Sequence, residues 1–321
     1  MSQRRLQTSK TTDRKQLPIS RNVISRDRMS VPTRIPPTIL AEVLMVAGGG
    51  SSGNKRSGGA GAGGLLYFGA NTNLTNANGS SRGINGPEFL ANVGITYTIT
   101  VGGGGTNGSR GSNTTITSAQ FGEFARAIGG GGNGEGVGGS GYADSVTANT
   151  DSQGNRGGNA GRSLTDPYNG GGGAGSVGGN QSGGGSGGPG GFGLLLGDFS
   201  GYGTDASNSP APSTGKGFFA GGGGGGAHVS VGGASGGVGG GGYSGKPGIG
   251  GLTNTGGGAG GGNDLEESPA VPNVNQNGGS GIALIAYPGE QIALGGTVDT
   301  TSRPGWTIHA FTSTGTFVVT G

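Results

Sequence analysis

The chain has 321 residues, of which 87 are glycine and only 29% belong to the hydrophobic set, so a large conventional side-chain core is excluded. It has no cysteine, which excludes a disulfide framework, a thiolate metal site and a cysteine nucleophile. The net charge of +3 is uneven: residues 1–37 carry nine basic and two acidic residues (9 − 2 = +7), and the remainder carries ten basic and fourteen acidic residues (10 − 14 = −4). We therefore expect the two parts of the chain to have different partners.

Residues 1–37 differ from the rest of the chain because they contain four prolines, no glycine and no aromatic residue. Such a polar, basic stretch predicts an extended docking arm without a core of its own. The basic residues of this arm are Arg4, Arg5, Lys10, Arg14, Lys15, Arg21, Arg26, Arg28 and Arg34. Basic segments can neutralise nucleic-acid phosphates, but without aromatic residues for base stacking the arm favours an acidic protein surface over nucleic acid. The predicted organisation is an arm over residues 1–37 and a folded body over residues 38–321.

Four segments outside the glycine blocks carry the patterns of β-strands. Residues 39–47 are apolar at nearly every position, which predicts a strand buried on both faces. Residues 95–101 alternate large apolar side chains with threonine, which is typical of a strand with one buried face. Residues 282–287 predict a further strand, and residues 306–319 predict a C-terminal hairpin. The predicted fold class is therefore all-β, a glycine-rich and sandwich-like body with almost no α-helix.

Glycine blocks fill the region between about residues 129 and 262 and are separated by insertions rich in turn-forming residues. One interpretation is that the blocks are flexible glycine-serine linkers. The other is that they form polyglycine-II helices, with three residues per turn and a rise of about 3.1 Å, packed so closely that only glycine fits between them. The second interpretation is favoured because the blocks have similar lengths and apolar strands bracket them. We predict stacked polyglycine-II helices, with the insertions as loops.

Motif-like stretches carry no chemistry once their context is considered. Gly48–Gly53 matches the GxGxxG dinucleotide fingerprint, but no helix can follow it and no acidic residue stands about 20 positions later. Gly240–Lys246 is similar to a phosphate-binding loop, but Pro247 replaces the hydroxyl residue that would bind magnesium. His228 and His309 have no carboxylate or serine beside them in a recognised nucleophile motif. We therefore predict a protein that is not an enzyme and has no cofactor or metal site.

Three stretches together resemble a known family: Leu44–Gly50, Thr96–Gly105 and Gly278–Ile285 are similar to the glycine-rich domain common in phage tail and other virion proteins. The segment His309–Phe317 also resembles that domain, although in the family it usually precedes the first of these stretches. The permuted order leaves open whether the C-terminal hairpin completes its own body or a neighbouring copy. A more distant likeness, of glycine blocks alternating with loops, is to the adhesins at the tips of T-even-type long tail fibres.

The resemblance implies a structural protein of a phage particle, made in the host cytoplasm, docked on other virion proteins by its arm and recognising a glycan or protein of the host surface. Aromatic side chains in the loops suit such recognition, because they stack on sugars and bury large areas. The candidate receptor-binding residues are Tyr142, Tyr168, Phe199, Tyr202, Phe218, Phe219 and Tyr243. The alternative is that these residues cap the glycine layers.

Two further alternatives concern the role and assembly of the whole protein. A decoration or cement protein, which stabilises the capsid or tail, fits the same composition and the same basic arm. A homotrimer is a common arrangement for fibre proteins, but no heptad pattern decides the oligomeric state. No stretch approaches the roughly 18 apolar residues needed to span a bilayer, so we expect no membrane insertion.

Overall fold

The computed structural model describes residues 38–53, 57–70, 73–76, 81–83, 86–132, 153–154, 169–181, 185–206, 217–227, 233–245, 248–262 and 276–320. In these residues the chain forms fifteen strands and one short 3-10 turn, Gly197–Phe199. The strands are joined in antiparallel sheets. The prediction of an all-β fold with almost no helix is confirmed. No helix in the described part of the chain is long and apolar enough to cross a membrane.

The largest sheet has six strands and is built around the first apolar segment of the chain. Its centre is β1, Thr38–Val46, which pairs on one side with β11, followed by β14 and β13, and on the other side with β2 and β5. These partners are β2 (Leu65–Phe68), β5 (Phe89–Asn92), β11 (Ile282–Pro288), β13 (Thr297–Asp299) and β14 (Trp306–Phe311).

Two smaller sheets complete the strand inventory. The five-stranded sheet has the order β12-β15-β6-β7-β8, and the four-stranded sheet has the order β10-β9-β3-β4. The strands of the first are β6 (Thr96–Thr100), β7 (Thr114–Ser118), β8 (Gly122–Ala127), β12 (Ala293–Leu294) and β15 (Gly315–Val319). Those of the second are β3 (Asn73–Asn76), β4 (Ser81–Gly83), β9 (Leu194–Leu195) and β10 (Phe218–Phe219).

The C-terminal strands correct one prediction and answer one question. The sequence predicts a hairpin over residues 306–319, but β14 pairs with β11 and β13, whereas β15 pairs with β6 and β12. The prediction of a hairpin is therefore wrong: the short connection between β14 and β15 passes from one sheet to the other. This crossing lets Phe311 and Phe317 face the same core from the two sheets. The C-terminal strands thus complete the body of their own chain.

Two apolar cores lie on opposite faces of β1, which is why this strand is apolar at nearly every position. Ala41, Val43 and Met45 face the first core, which lies between the six-stranded and five-stranded sheets. Leu44 and Val46 face the second core, which β2, β9 and β10 also line. The predicted burial of β1 on both faces is confirmed from Ala41 onward, where all these side chains are fully buried. It is wrong for Leu40, which is 57% exposed near the start of the strand.

The glycine segments lie outside the strands and are hydrogen bonded to one another with a period of three residues. The N–H groups of segment 57–64 point in turn to three neighbouring segments. One third of them donate to segment 256–262, another third to segment 169–172 and the last third to segment 128–131. Three residues per turn is the period of a polyproline-II-type helix. The segments also join blocks that are far apart in sequence. The described glycine segments are therefore joined by regular backbone hydrogen bonds, unlike flexible linkers, and the polyglycine-II conformation itself stays a prediction.

The glycine segments continue the sheets in unchanged register. One third of the N–H groups of segment 47–52 donate to segment 61–64, which leads into β2, and another third to segment 276–279, which leads into β11. The last third donate to segment 109–112, which leads into β7 of the five-stranded sheet. These hydrogen bonds are 2.9–3.0 Å long. Where the side chains end, the two sheets therefore meet and bond directly.

The close approach of these segments leaves no room for side chains. A Cβ atom added at Gly223 would overlap the carbonyl oxygen of Ala259, and one added at Gly171 would overlap that of Ala60. The same holds for most buried glycines of this region, whereas Gly103 faces open space. Below, the hydrogen-bonded glycine segments together are called the glycine stack.

Candidate functional site: an aromatic groove between two strand edges

Three of the aromatic residues that the sequence predicted as receptor contacts are buried in the structure. Phe199 and Phe219 are fully buried, and Phe218 is 8% exposed. Phe199 and Phe219 pack in the second core, where Phe199 lies edge-on to Tyr67 at 6.5 Å between ring centroids. Side chains enclosed in this way cannot contact a receptor while the body is folded. For these three residues the prediction is therefore wrong.

The other predicted aromatics differ in what the structure says of them. Tyr202 is half-buried and its hydroxyl donates a hydrogen bond to Asp299 at 3.1 Å. Burial, and then the neighbouring Asp299 carboxylate, raise the pKa of Tyr202 well above its ordinary value. Tyr243 is 41% exposed and stays a candidate contact. Tyr142 and Tyr168 lie outside the described residues, as do the nine basic residues of the arm.

A pocket of about 460 Å³ opens between β5 and the β7–β8 hairpin. Its lining comes from β5 and the residue before it, from β6, and from the turn and strand that follow β7. These residues are Glu88, Phe89, Leu90, Asn92, Tyr97, Ser118, Phe121, Gly122, Glu123 and Phe124. We call this pocket the aromatic groove.

A β-bulge places one of the groove residues. The register of β7 and β8 pairs Ile116 with Ala125 and Thr117 with Glu123, so that Phe124 has no partner on β7. A bulge leaves its extra residue unpaired and re-aims its side chain. Phe124 turns towards Phe89, with ring centroids 4.5 Å apart. The bulge therefore converts an edge strand of the sheet into a wall of the groove.

Aromatic rings form the floor of the groove, and exposed apolar side chains form its walls. Phe89 and Tyr97 are nearly buried and lie edge-on to each other at 5.0 Å. Leu90 and Phe121 are 56% and 60% exposed, which is unusual for side chains of this size. Leu40 lies directly opposite Leu90 in the β1–β5 pairing and is exposed as well. Leu40 and Leu90 lie on the opposite face of the sheet from Phe89. Exposed apolar side chains beside a pocket are typical of a binding site.

Most polar side chains of the groove already have partners within the chain. The Ser118 hydroxyl accepts a hydrogen bond from the Phe121 N–H at 3.0 Å, and the Tyr97 hydroxyl accepts one from the Asn92 N–H at 3.0 Å. Glu123 forms an ion pair with Arg126 at 2.5 Å. The hydrogen bonds and charge of Arg126 lower the pKa of the Glu123 carboxyl. These side chains therefore have few hydrogen-bonding positions left for a ligand.

Glu88 is the exception on the rim of the groove. Within the described part of the chain, no salt bridge involves this carboxylate. It is partly exposed and follows Pro87 at the entrance to β5. The groove therefore combines an apolar floor with one carboxylate that is open to a cation.

Elsewhere, buried polar groups are structural. The Nδ1 atom of His309 lies 2.6 Å from the carbonyl of Gly295 and its Nε2 atom lies 2.9 Å from the Tyr287 hydroxyl, so both ring nitrogens are satisfied. Burial lowers the pKa of His309. Among the described residues no group of three or more acidic, histidine or cysteine side chains is arranged to hold a metal ion. The His309 ring therefore joins β14 to Tyr287 of β11 and to the segment before β13.

Sequence reasoning missed the groove because it looked for binding residues in the loops between glycine blocks. The groove residues Phe121 and Phe124 lie in a short hairpin between residues 114 and 127, where alternation of threonine with isoleucine indicates strands. The signal was available in that hairpin: two phenylalanines at non-alternating positions, 121 and 124, cannot both face the core of a regular strand. This spacing indicates a bulge or an exposed aromatic residue.

Comparison with protein families gives a match over most of the chain. The profile of the family described as "Glycine-rich domain" matches residues 30–288, which extend from before β1 to the end of β11. No curated protein and no solved structure matches the chain. The family match covers well over half of the sequence, and the chain therefore belongs to the glycine-rich domain family.

Proposed function

We propose that this protein is a structural component of a phage particle, of the tail-fibre or adhesin type, which is attached through residues 1–37 and recognises the host surface. Membership of the glycine-rich domain family and the resemblance of its motifs to those of virion proteins support this role. The strong charge contrast between the basic arm and the acidic remainder supports separate docking and recognition functions. In this proposal the protein is not an enzyme and uses no cofactor.

The observation that carries the recognition role is the aromatic groove. Leu90 on β5 and Phe121 in the turn before β8 expose large apolar side chains, and Phe124 is fixed by ring contacts at 4.5 Å and 4.9 Å. Aromatic side chains held rigidly lose little conformational entropy on binding. The groove strand β5 pairs with the end of β1 that is opposite to the glycine stack, so the sheet pairing and the ring contacts hold this surface.

The experiment is an adsorption assay on cells of the host of the phage that carries the gene. Excess purified full-length protein should compete with phage particles for adsorption, and a Phe121→Ala, Phe124→Ala double variant should compete at least about tenfold less well. Arg126→Ala, which leaves the apolar lining intact, is the matched control. Equal competition by the double variant and the wild type would refute recognition through the groove.

A decoration or cement role is the second candidate, and the basic arm favours it because +7 over 37 residues suits docking on an acidic shell or tail surface. Immunogold labelling of intact particles distinguishes the two roles. Label confined to the tail or its fibres supports the adhesin role. Label distributed over the capsid lattice, together with failure to compete for adsorption, supports the decoration role.

A further inference from the structure

We propose that the aromatic groove binds an extended peptide segment of a partner protein as an added strand on β5. The peptide would carry aliphatic or aromatic side chains at alternate positions and a lysine or arginine at one end. This inference rests on the groove being the recognition site of the proposed function, and it names the chemical class of the partner. Addition of a strand to a sheet edge is a general mode of peptide recognition, in which main-chain hydrogen bonds supply affinity and side-chain pockets supply specificity.

The first observation is an open strand edge in the groove. The Asn92 N–H donates to the Tyr97 hydroxyl and therefore points away from β1. Residues two apart on an antiparallel strand present their N–H and C=O groups to the same side. Those of Leu90 therefore also point away from β1, and the structure gives them no partner outside the β1–β5 ladder in the described part of the chain. This exposed pair of groups can accept an added strand.

The second observation is that β8, which faces β5 across the groove, is also an edge strand. It ends the order of the five-stranded sheet. At its far end, the side chain of Gln153 donates to the Arg126 carbonyl at 3.0 Å and accepts from the Ile128 N–H at 2.8 Å. Gln153 thus covers the edge where the groove ends. The space between the β5 and β8 edges is therefore closed at the Gln153 end. An extended peptide is the kind of ligand that fits such a space.

The third observation concerns the period of the apolar contacts. Phe89 lies on the floor of the groove, while Leu90 stands on its wall. Side chains of an added strand alternate between two faces. One set would then pack on the Phe89 and Phe124 rings, and the other set would lie beside Leu90 and Leu40. A peptide that is apolar at alternate positions therefore places its apolar set on these rings.

The fourth observation decides between a peptide and a glycan. Sugar hydroxyls need free polar side chains beside the aromatic ring, because an unpaired buried polar group costs about 1–3 kcal/mol. In the groove, the Ser118 and Tyr97 hydroxyls already accept hydrogen bonds from backbone N–H groups, and Glu123 is paired with Arg126. Besides these two hydroxyls, the groove offers the backbone of Leu90 and the carboxylate of Glu88. Backbone groups pair with a peptide backbone, and the carboxylate pairs with a lysine or arginine.

Charge also argues against a second copy of the chain as the occupant. Two copies related by a twofold axis would each bring Glu88 to the contact, whereas Glu123 is already paired with Arg126. Like charges placed together at an interface disfavour it. A partner with a basic residue at this position has the complementary charge.

The test uses purified full-length protein and fluorescein-labelled heptapeptides in a fluorescence anisotropy titration. The basic probe has alternating valine and threonine between two terminal arginines, and the matched acidic probe has glutamates in place of the arginines. A third probe is the basic peptide with alternate backbone nitrogens methylated, so that it keeps its side chains and loses half of its donors. We expect saturable binding of the basic probe, and at least about tenfold weaker binding of each of the other two.

Two variants of the protein locate the binding. Leu90→Pro removes the outward N–H, and proline is tolerated at an edge where that group faces solvent. We expect it to weaken binding at least about tenfold, and the control Leu90→Ala, which keeps the N–H, to weaken it about threefold or less. Glu88→Gln should reduce the preference for the basic over the acidic probe. Thermal unfolding verifies that each variant is folded, and the methylated probe tests the backbone contact without any variant.

Several results would overturn the inference. These are absence of saturable binding by the basic probe, equal binding of the methylated probe, and equal binding by Leu90→Pro and Leu90→Ala. A wild-type dimer in light scattering that Phe121→Ala converts to a monomer would assign the groove to a second copy instead. Because no cell or particle is present, failure here leaves the adsorption role standing. Failure of adsorption with intact peptide binding would refute the proposed function alone.

Discussion

The glycine stack and the pair of sheets that enclose the first core hold the same chain together in two different ways. Between the sheets, side chains such as Met45, Ile99 and Phe317 are fully buried and keep the backbones apart. Packed sheets of this kind lie about 10 Å from each other. In the stack, neighbouring segments meet through backbone hydrogen bonds of 2.9–3.0 Å around segment 47–52. One region depends on side-chain volume and the other on its absence.

Residue type alone can switch the repeat of the backbone hydrogen bonds from two residues to three. β1 pairs with β2 and β11 as an ordinary strand up to Val46. Beyond it, segment 47–52 goes on pairing with the segments that lead into β2 and β11, now with a period of three residues. The change coincides with the start of Gly48–Gly50. Removing side-chain atoms should therefore destabilise the pair of sheets, and adding side-chain atoms should destabilise the glycine stack.

The largest effect is expected from Gly223→Ala in the stack. The new Cβ would overlap the backbone carbonyl of Ala259, which cannot move without breaking hydrogen bonds to its neighbours. We expect loss of the cooperative unfolding transition or a loss of more than about 5 kcal/mol in the free energy of unfolding. Gly103→Ala is the matched control, because nothing lies within 4 Å of its added Cβ. Equal stability of the two variants in urea unfolding would contradict the close-packed stack.

The next effect comes from removing volume between the sheets. Phe317 is fully buried in the first core, so Phe317→Ala should lower the free energy of unfolding by about 4 kcal/mol through lost burial and a residual cavity. Phe121→Ala removes the same atoms from a side chain that is 60% exposed and should change stability by less than about 0.5 kcal/mol. Urea unfolding of both variants measures the contrast. A Phe121→Ala loss as large as that of Phe317→Ala would show that the groove is part of the core.

A smaller effect is expected from the ion pair that ties β1 to the segment before β14. The Arg303 Nη1 atom lies 2.6 Å from Glu42 Oε2, and the guanidinium stacks on the Trp306 ring at 3.4 Å. Arg303→Met keeps the apolar stem but leaves the buried Glu42 carboxylate without this partner. The expected loss is about 2 kcal/mol, since Arg303 is partly exposed. Adding Glu42→Gln to Arg303→Met should recover part of it, and no recovery would show that the ring contact dominates.

The smallest effect is a pH dependence that belongs to the sheets and not to the stack. Burial lowers the pKa of His309 below its ordinary value of about 6.5. Between the lowered pKa and about pH 6.5, the unfolded chain binds a proton at this histidine and the folded chain does not. The free energy of unfolding should therefore fall as the pH falls from about 6.5 towards the lowered pKa. His309→Gln should flatten this dependence between about pH 7 and pH 5. An unchanged slope in urea unfolding would assign the dependence to another group.

The strands were predictable from the sequence where burial gives a clear pattern. The expectations for residues 39–47 and 95–101 agree with β1 and β6 to within one residue at each end, because apolar runs and period-two alternation report burial directly. The C-terminal hairpin was not predictable, since the same alternation fits two strands of one sheet or of two facing sheets. Only tertiary contacts separate these arrangements.

The candidate site was less predictable than the fold. Phe199, Phe218 and Phe219 are expected at the surface because their sequence neighbours are turn formers and glycines, yet they fill the second core. In a chain with few large apolar residues, most of those in the described part are buried, and Leu90 and Phe121 are among the exceptions. The exposed residues Leu90 and Phe121 lie in segments with strand patterns, and their exposure depends on two open sheet edges and a bulge. The spacing of Phe121 and Phe124 indicates a bulge or an exposed aromatic residue, but no local signal gives the position of the open sheet edges.

Amide hydrogen exchange, followed by mass spectrometry on the full-length protein, tests the central claim most directly. If the glycine segments form a hydrogen-bonded stack, peptides covering residues 57–64, 220–227 and 256–262 should be protected to the same degree as those covering β1 and β11. Exchange of these glycine segments at the rate of an unstructured chain, with the strands still protected, would contradict the stack and restore the flexible-linker interpretation.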